Sequence, residues 1–173
     1  MAHRLSGIAL AVLGAASLSA CGFTPLYATP GVSPALSGIE VDEPLSDQGV
    51  ANREGYLLKL KLNSELAHDA ETPSRYRLAT TVKVNRYSEG ARVNNIASRY
   101  ELAMTVSYVL SDRVTGAVLT KGSVPVQVSY DSSSPPYAGV AASQDGEVRA
   151  AEQAAVRLRL DLSHYFASQA DGN

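Results

Sequence analysis

Three successive segments alternate apolar and polar residues for longer than most strands run. In 75–86 the even positions are Tyr76, Leu78, Thr80, Val82, Val84 and Arg86. In 96–111 they are Ile96, Ser98, Tyr100, Leu102, Met104, Val106, Tyr108 and Leu110. In 117–130 the same parity holds Val118, Thr120, Val124, Val126, Val128 and Tyr130. A period of two sustained this far requires long strands with one packed face and one polar face. Asp112-Arg113-Val114-Thr115-Gly116 reads as the hairpin turn between the second and third strands, with Gly116 suited to positive φ. Residues 88–95 read as the loop between the first two. Pro125 has no N–H to give a ladder, so the third strand belongs at an edge or carries a bulge.

A half-polar sheet needs a cover. From about Val140 to Ala167, Val148, Ala151, Ala155, Leu158, Leu162 and Tyr165 recur at three and four, the apolar stripe of a helix. Residues 47–66 predict a second helix, capped by Ser46 or Asp47, with Gly49 and Gly55 weakening it. Ile39-Glu40-Val41 is a short first strand. The expected fold class is α+β: a two-layer sandwich of a mostly antiparallel four-stranded sheet with two helices on one face. Its domain spans 38–170, with a final loop at 131–139 before the last helix.

The first 37 residues have a different character. Arg4 precedes an uncharged apolar run, Leu5 to Leu18, of signal-peptide length and too short for a comfortable bilayer span. Leu18-Ser19-Ala20-Cys21 follows, and Cys21 is the only cysteine. A lone thiol has no internal disulfide partner. The order of small residues before it resembles the bacterial lipobox, which implies cleavage after residue 20 and lipid on Cys21. Gly22 follows where inner-membrane retention calls for Asp, so the resemblance implies the outer membrane. The domain reading is therefore 1–20 signal peptide, 21–37 lipidated extended tether rich in proline, and the folded domain thereafter. The tether is expected to hold little regular structure.

Chemistry of the enzymatic kind has little to stand on. There is no GxSxG, HExxH, CxxC or phosphate-cradling glycine loop, and His68 and His164 lie far apart. No catalytic residue, metal ligand or cofactor is expected beyond the covalent lipid, and a hydrolase is the weakest reading. With 15 Lys+Arg against 17 Asp+Glu the chain is mildly acidic, which argues against a nucleic-acid partner. Against that acidity, Arg75, Arg77, Lys83, Arg99 and Lys121 all occupy odd, outward positions. Arg86, Arg92 and Arg113 add charge near strand ends. Guanidinium and ammonium groups on one face suit phosphate. Lys83, Arg86, Arg92, Arg99 and Lys121 are the candidate phosphate contacts.

Taken together, "CGFTPLYA" (21–28), "SRYELAMTVSYVLSDRVTGAVLTKGSVPVQVSYDSSSPPYA" (98–138) and "AEQAAVRLRLDLSHYF" (151–166) resemble the LptE lipopolysaccharide-assembly lipoproteins in their alphaproteobacterial form. The resemblance implies a non-catalytic outer-membrane lipoprotein on the periplasmic side. It would partner an LptD-type β-barrel as a plug and assist insertion of lipopolysaccharide into the outer leaflet. The competing expectation is a free-standing periplasmic lipoprotein that binds a small ligand or the cell wall. That alternative needs a concave apolar pocket with convergent polar groups.

Overall fold

The computed structural model describes residues 31–68, 73–91, 97–131 and 136–171. The signal segment, Cys21 and Arg92 lie outside the described residues. In chain order the elements are α1 (Val32–Ser37), β1 (Ile39–Val41), β2 (Leu45–Ser46), α2 (Arg53–Glu65), β3 (Tyr76–Ala91), β4 (Ala97–Asp112), β5 (Val118–Asp131) and α3 (Pro136–Asp171). The two-layer α+β fold is as expected, with one more strand and one more helix.

The three alternating segments form an antiparallel meander, β3-β4-β5, in long register from Tyr76↔Asp112 to Ala91↔Ala97 and from Arg99↔Asp131 to Ser111↔Val118. β1 and β2 both lie parallel to β3 and share its outer edge, at 76–78 and 81–82. The sheet order is β1-β3-β4-β5, with β2 beside β3, which leaves β5 at an edge as Pro125 demanded. The even-numbered face is the core face. Leu78, Val82, Leu102, Met104, Val106, Leu110, Val124, Val126 and Val128 are buried there. Ala150, Ala154, Ala155, Leu158 and Leu162 of α3, and Leu58 and Leu62 of α2, close over them.

Several boundaries moved for local reasons. β3 runs to Ala91, five residues past the predicted end, because its ladder with β4 continues through Glu89↔Arg99. α3 starts at Pro136, inside the predicted loop; proline is favoured at a first helical position, where its missing N–H costs nothing. The tether is not extended at 32–37. It forms α1, whose Val32 and Leu36 are buried, and Pro34 sits in the first turn, where no intrahelical N–H bond is lost. Val118 faces solvent, contrary to its parity, because the register shifts at Leu110/Ser111 and turns Leu119 toward the core instead.

α2 begins at Arg53, not near 47. Residues 46–50 close a tight turn: Ser46 N–H donates to the Val50 carbonyl at 2.8 Å, and Gly49 takes φ 77°. Asn52 is the true N-cap, its Oδ1 accepting from Gly55 N–H at 2.8 Å. Gly55 is not a weakness in this helix. A Cβ there would meet the Pro44 carbonyl oxygen at 2.8 Å, so glycine lets the helix seat against the preceding segment. Gly55→Ala is expected to destabilise by about 1–2 kcal/mol, since overpacking against backbone outweighs the ~1 kcal/mol propensity gain. Urea denaturation checks the sign. A stabilised variant would mean that the turn relaxes freely.

The β5 edge is guarded. Pro125 removes one N–H, Arg157 of α3 donates to the Pro125 carbonyl, and Arg149 donates to the Ser129 carbonyl at 3.3 Å. Edge groups that would otherwise template another strand are partly occupied by the helix lying beside them.

Candidate functional site

The odd-numbered face of the meander carries no helix, and its residues are mostly short. Reading across β3, β4 and β5, the rows are Ala79-Val109-Lys121, Thr81-Ser107-Ser123 and Lys83-Thr105-Pro125. Leu45 of β2 extends the middle row, since it pairs with Thr81. A depression of about 610 Å3 lies here, lined by Leu45, Ala79, Thr81, Ser107, Val109, Lys121 and Ser123, with Asp42 and Glu43 at its rim.

The expected phosphate contacts do not form one cluster. Arg86 has even parity and points to the helix side, where its Nη2 donates to Glu54 Oε1 at 3.0 Å and to Glu147 Oε1 at 2.7 Å. Burial works against its charge, but the hydrogen bonds to Glu54 and Glu147 outweigh it, so its pKa lies above the usual arginine value. Arg53 holds the other Glu147 oxygen at 2.9 Å. This group ties α2, β3 and α3 together, and parity alone placed Arg86 on that side. Arg99 is at the opposite end of the outer face from the depression and donates to Asp131 at 2.9 Å, which raises its pKa. Arg77 grips both oxygens of Asp42, at 3.0 and 2.8 Å. Arg113 pairs with Glu40, and the Arg75 guanidinium lies 5.4 Å from the Tyr76 ring centroid.

Lys83 and Lys121 are different. Both are exposed, and neither forms an ion pair with a described residue. They stand two strands and four residues apart, about 16 Å by strand geometry. The row between them is entirely hydroxyl-bearing. Sequence parity placed both lysines outward; it carried no signal for which cations are neutralised, because the neutralising carboxylates come from other elements. It also missed the Thr81-Ser107-Ser123 row, which exists only once the two registers are known.

The two histidines stay apart. His68 Nδ1 lies 3.0 Å from the Ser37 carbonyl oxygen. His164 lines a separate surface recess with Arg157 and Asp161. Among the described residues no three His, Cys, Asp or Glu side chains are grouped to hold a metal ion, and no helix is long and apolar enough to cross a membrane.

The two kinds of ion pair have testably different weights. Glu147→Ala removes an acceptor that is nine-tenths buried and serves two guanidiniums, and is expected to cost about 2 kcal/mol. Asp131→Ala breaks an exposed pair and is expected to cost under ~0.5 kcal/mol. Equal losses in chemical denaturation would show that the Glu147 group is not a tertiary clamp.

Comparison with known proteins places this arrangement. A profile described as LptE, lipopolysaccharide-assembly, matches residues 41–162. A crystal structure of a chain assigned as a lipoprotein from Caulobacter crescentus CB15 is 41% identical, covers 80% of this chain and 97% of its own, and superposes with a TM-score of 0.64. Lipoprotein B of Nitrosomonas europaea, determined in solution by NMR, is 11% identical, covers 79% and 92%, and has a TM-score of 0.50, a likeness of fold alone. No curated protein matches the sequence.

Proposed function

The chain belongs to the LptE lipopolysaccharide-assembly family, and from that premise we propose that it is an outer-membrane lipoprotein, anchored through lipid on Cys21, that plugs an LptD-type β-barrel and assists delivery of lipopolysaccharide to the outer leaflet. Family membership supports a role in lipopolysaccharide assembly in the cell envelope. The finer reading rests on the outer sheet face.

That face is the observation that carries the proposal. It is long, short-chained and polar, with Thr81, Ser107 and Ser123 exposed and Lys83 and Lys121 unneutralised by described residues. The lumen of an outer-membrane barrel is polar, so a plug must offer it a surface that does not demand burial in hydrocarbon. Short side chains also let a partner's backbone approach closely. Lys83 and Lys121 are the best-placed contacts for lipid A or core phosphates. Arg99, at the far end, is paired with Asp131, and Arg86 acts first as a clamp between layers; Arg92 stays a candidate contact outside the described residues. No bond-making step is proposed. The lipid supplies permanence: each buried methylene contributes ~0.8 kcal/mol, and more than one chain makes attachment stable.

The test is recovery of the tagged full chain from detergent-solubilised outer membranes. The expected result is a one-to-one complex with a large β-barrel protein, with mass spectrometry placing the fatty acids on Cys21. Cys21→Ser is expected to leave the signal uncut and to reduce recovery of the complex. Isolation of the lipidated chain with no barrel would favour the free-standing binding lipoprotein instead.

A further inference from the structure

The depression on the outer face has a polarity that runs diagonally, from Leu45, Ala79 and Val109 toward Lys121 and Ser123. On the β2 side its floor is apolar: Leu45 is 40% exposed, Val109 37%, and Ala79 lies between their strands. On the β5 side stand Lys121 and Ser123, and the row of hydroxyls runs from Ser123 through Ser107 of β4 to Thr81 of β3, which stands between Leu45 and Ser107. Large apolar side chains exposed together beside a cation suggest an amphiphile, and the charge around the rim sharpens this. Asp42 is held by Arg77 and Glu43 by Lys59 at 2.8 Å, so both rim carboxylates are neutralised within the fold. Lys121 has no such partner among the described residues, and Lys83 lies one row beyond the hydroxyls. The net charge offered to a ligand is therefore positive, and it sits at one side only.

We infer that this depression is a two-part lipid subsite: an acyl chain lies over Leu45, Ala79 and Val109, and the phosphorylated sugar to which it is attached faces Ser107, Ser123 and Lys121. The inference rests on the proposed contact with lipopolysaccharide and adds where on the face the glycolipid sits and which way it points. The volume, about 610 Å3, falls in the range of small-ligand sites, and the open side faces away from the helices. Hydrocarbon gains by covering Leu45 and Val109, whose apolar surface is otherwise left in water. A phosphate gains a charge-assisted hydrogen bond from the Lys121 ammonium. The two ends of the site are about 15 Å apart, from β2 to β5 across three strand spacings, far enough for different parts of one ligand to be told apart.

Site-specific photocrosslinking in cells reads the polarity directly. The full chain is produced with p-benzoylphenylalanine in place of Leu45, Ser123 or, as a control on the same face, Gln127. All three positions are exposed, so the fold tolerates the change. After irradiation, glycolipid adducts are digested and mapped by mass spectrometry. The expected result is adducts on acyl carbons from position 45, adducts on sugar from position 123, and few from 127. Lys121→Glu is expected to lower the adduct yield from position 123 roughly tenfold, the loss of one charge-assisted contact. Sugar adducts from 45, acyl adducts from 123, protein adducts alone, or glycolipid adducts mainly from 127 would each overturn the inference. Copurification of the barrel is scored in the same cells. A barrel recovered with no glycolipid at 45 or 123 refutes the subsite and leaves the plug standing. Loss of the barrel with the expected adducts refutes the plug and leaves the subsite.

Discussion

Everything else in this molecule follows from the strict two-residue parity of β3, β4 and β5. Because the even positions are buried through the middle of the meander, the odd positions there are committed to the opposite face, and only past the shift at Leu110/Ser111 do Val118 and Leu119 exchange sides. A shift of one residue would put Leu78, Leu102, Met104 and Val126 into water and drive Arg77, Lys83 and Lys121 into the core. The hydrophobic term therefore fixes the register, and the register fixes what the outer face displays. The proposed contact face is thus the side that does not hold the fold together.

The inner layer is closed by two kinds of contact. Alanines 150, 154 and 155 let α3 approach the sheet closely, and leucines of α2 and α3 fill the space above it. At the sheet's far end, where Tyr100 and Tyr130 stack at 5.6 Å, Gly146 leaves room for the Tyr130 ring and Glu147 receives Arg53 and Arg86. One end of the layer is thus packed and the other is also clamped by charge. α3 has a third role, since Arg149 and Arg157 reach around to the β5 carbonyls. The open face is left free of helices while the open edge is not left free of partners.

Much of this was legible beforehand, and the parts that were not share a cause. Strand parity, the Asp112–Gly116 turn and the edge position of Pro125 are properties of a residue and its near neighbours, and they read correctly. Asp112 shows how local such a device is: its Oδ1 accepts from the N–H groups of Thr115 and Val114, the first of which does most to hold the carboxyl below its usual pKa. By contrast, the start of α2 depended on Pro44 and Asn52 acting together, and the helix in the tether depended on a core that Val32 and Leu36 could reach. The phosphate candidates were a list of cations chosen by position. Which of them remain available was decided by carboxylates up to 61 residues away in the chain, as Arg86 and Glu147 show. Charge neutralisation is a tertiary property, and no local pattern announces it.

In this member of the lipopolysaccharide-assembly family the described helices lie on one side of the sheet, and the weakly cationic face on the other side is the proposed contact surface. The account's central claim is that this outer sheet face is the one covered in the envelope. Lysine acetylation read by mass spectrometry tests it most directly, because Lys83 and Lys121 report on the sheet face, while Lys59 and Lys61 of α2 are already paired with Glu43 and Glu152. The account predicts that Lys83 and Lys121 react far more slowly in intact outer membranes than in the purified, detergent-solubilised chain. Equal reactivity of Lys83 and Lys121 in the two preparations would contradict it.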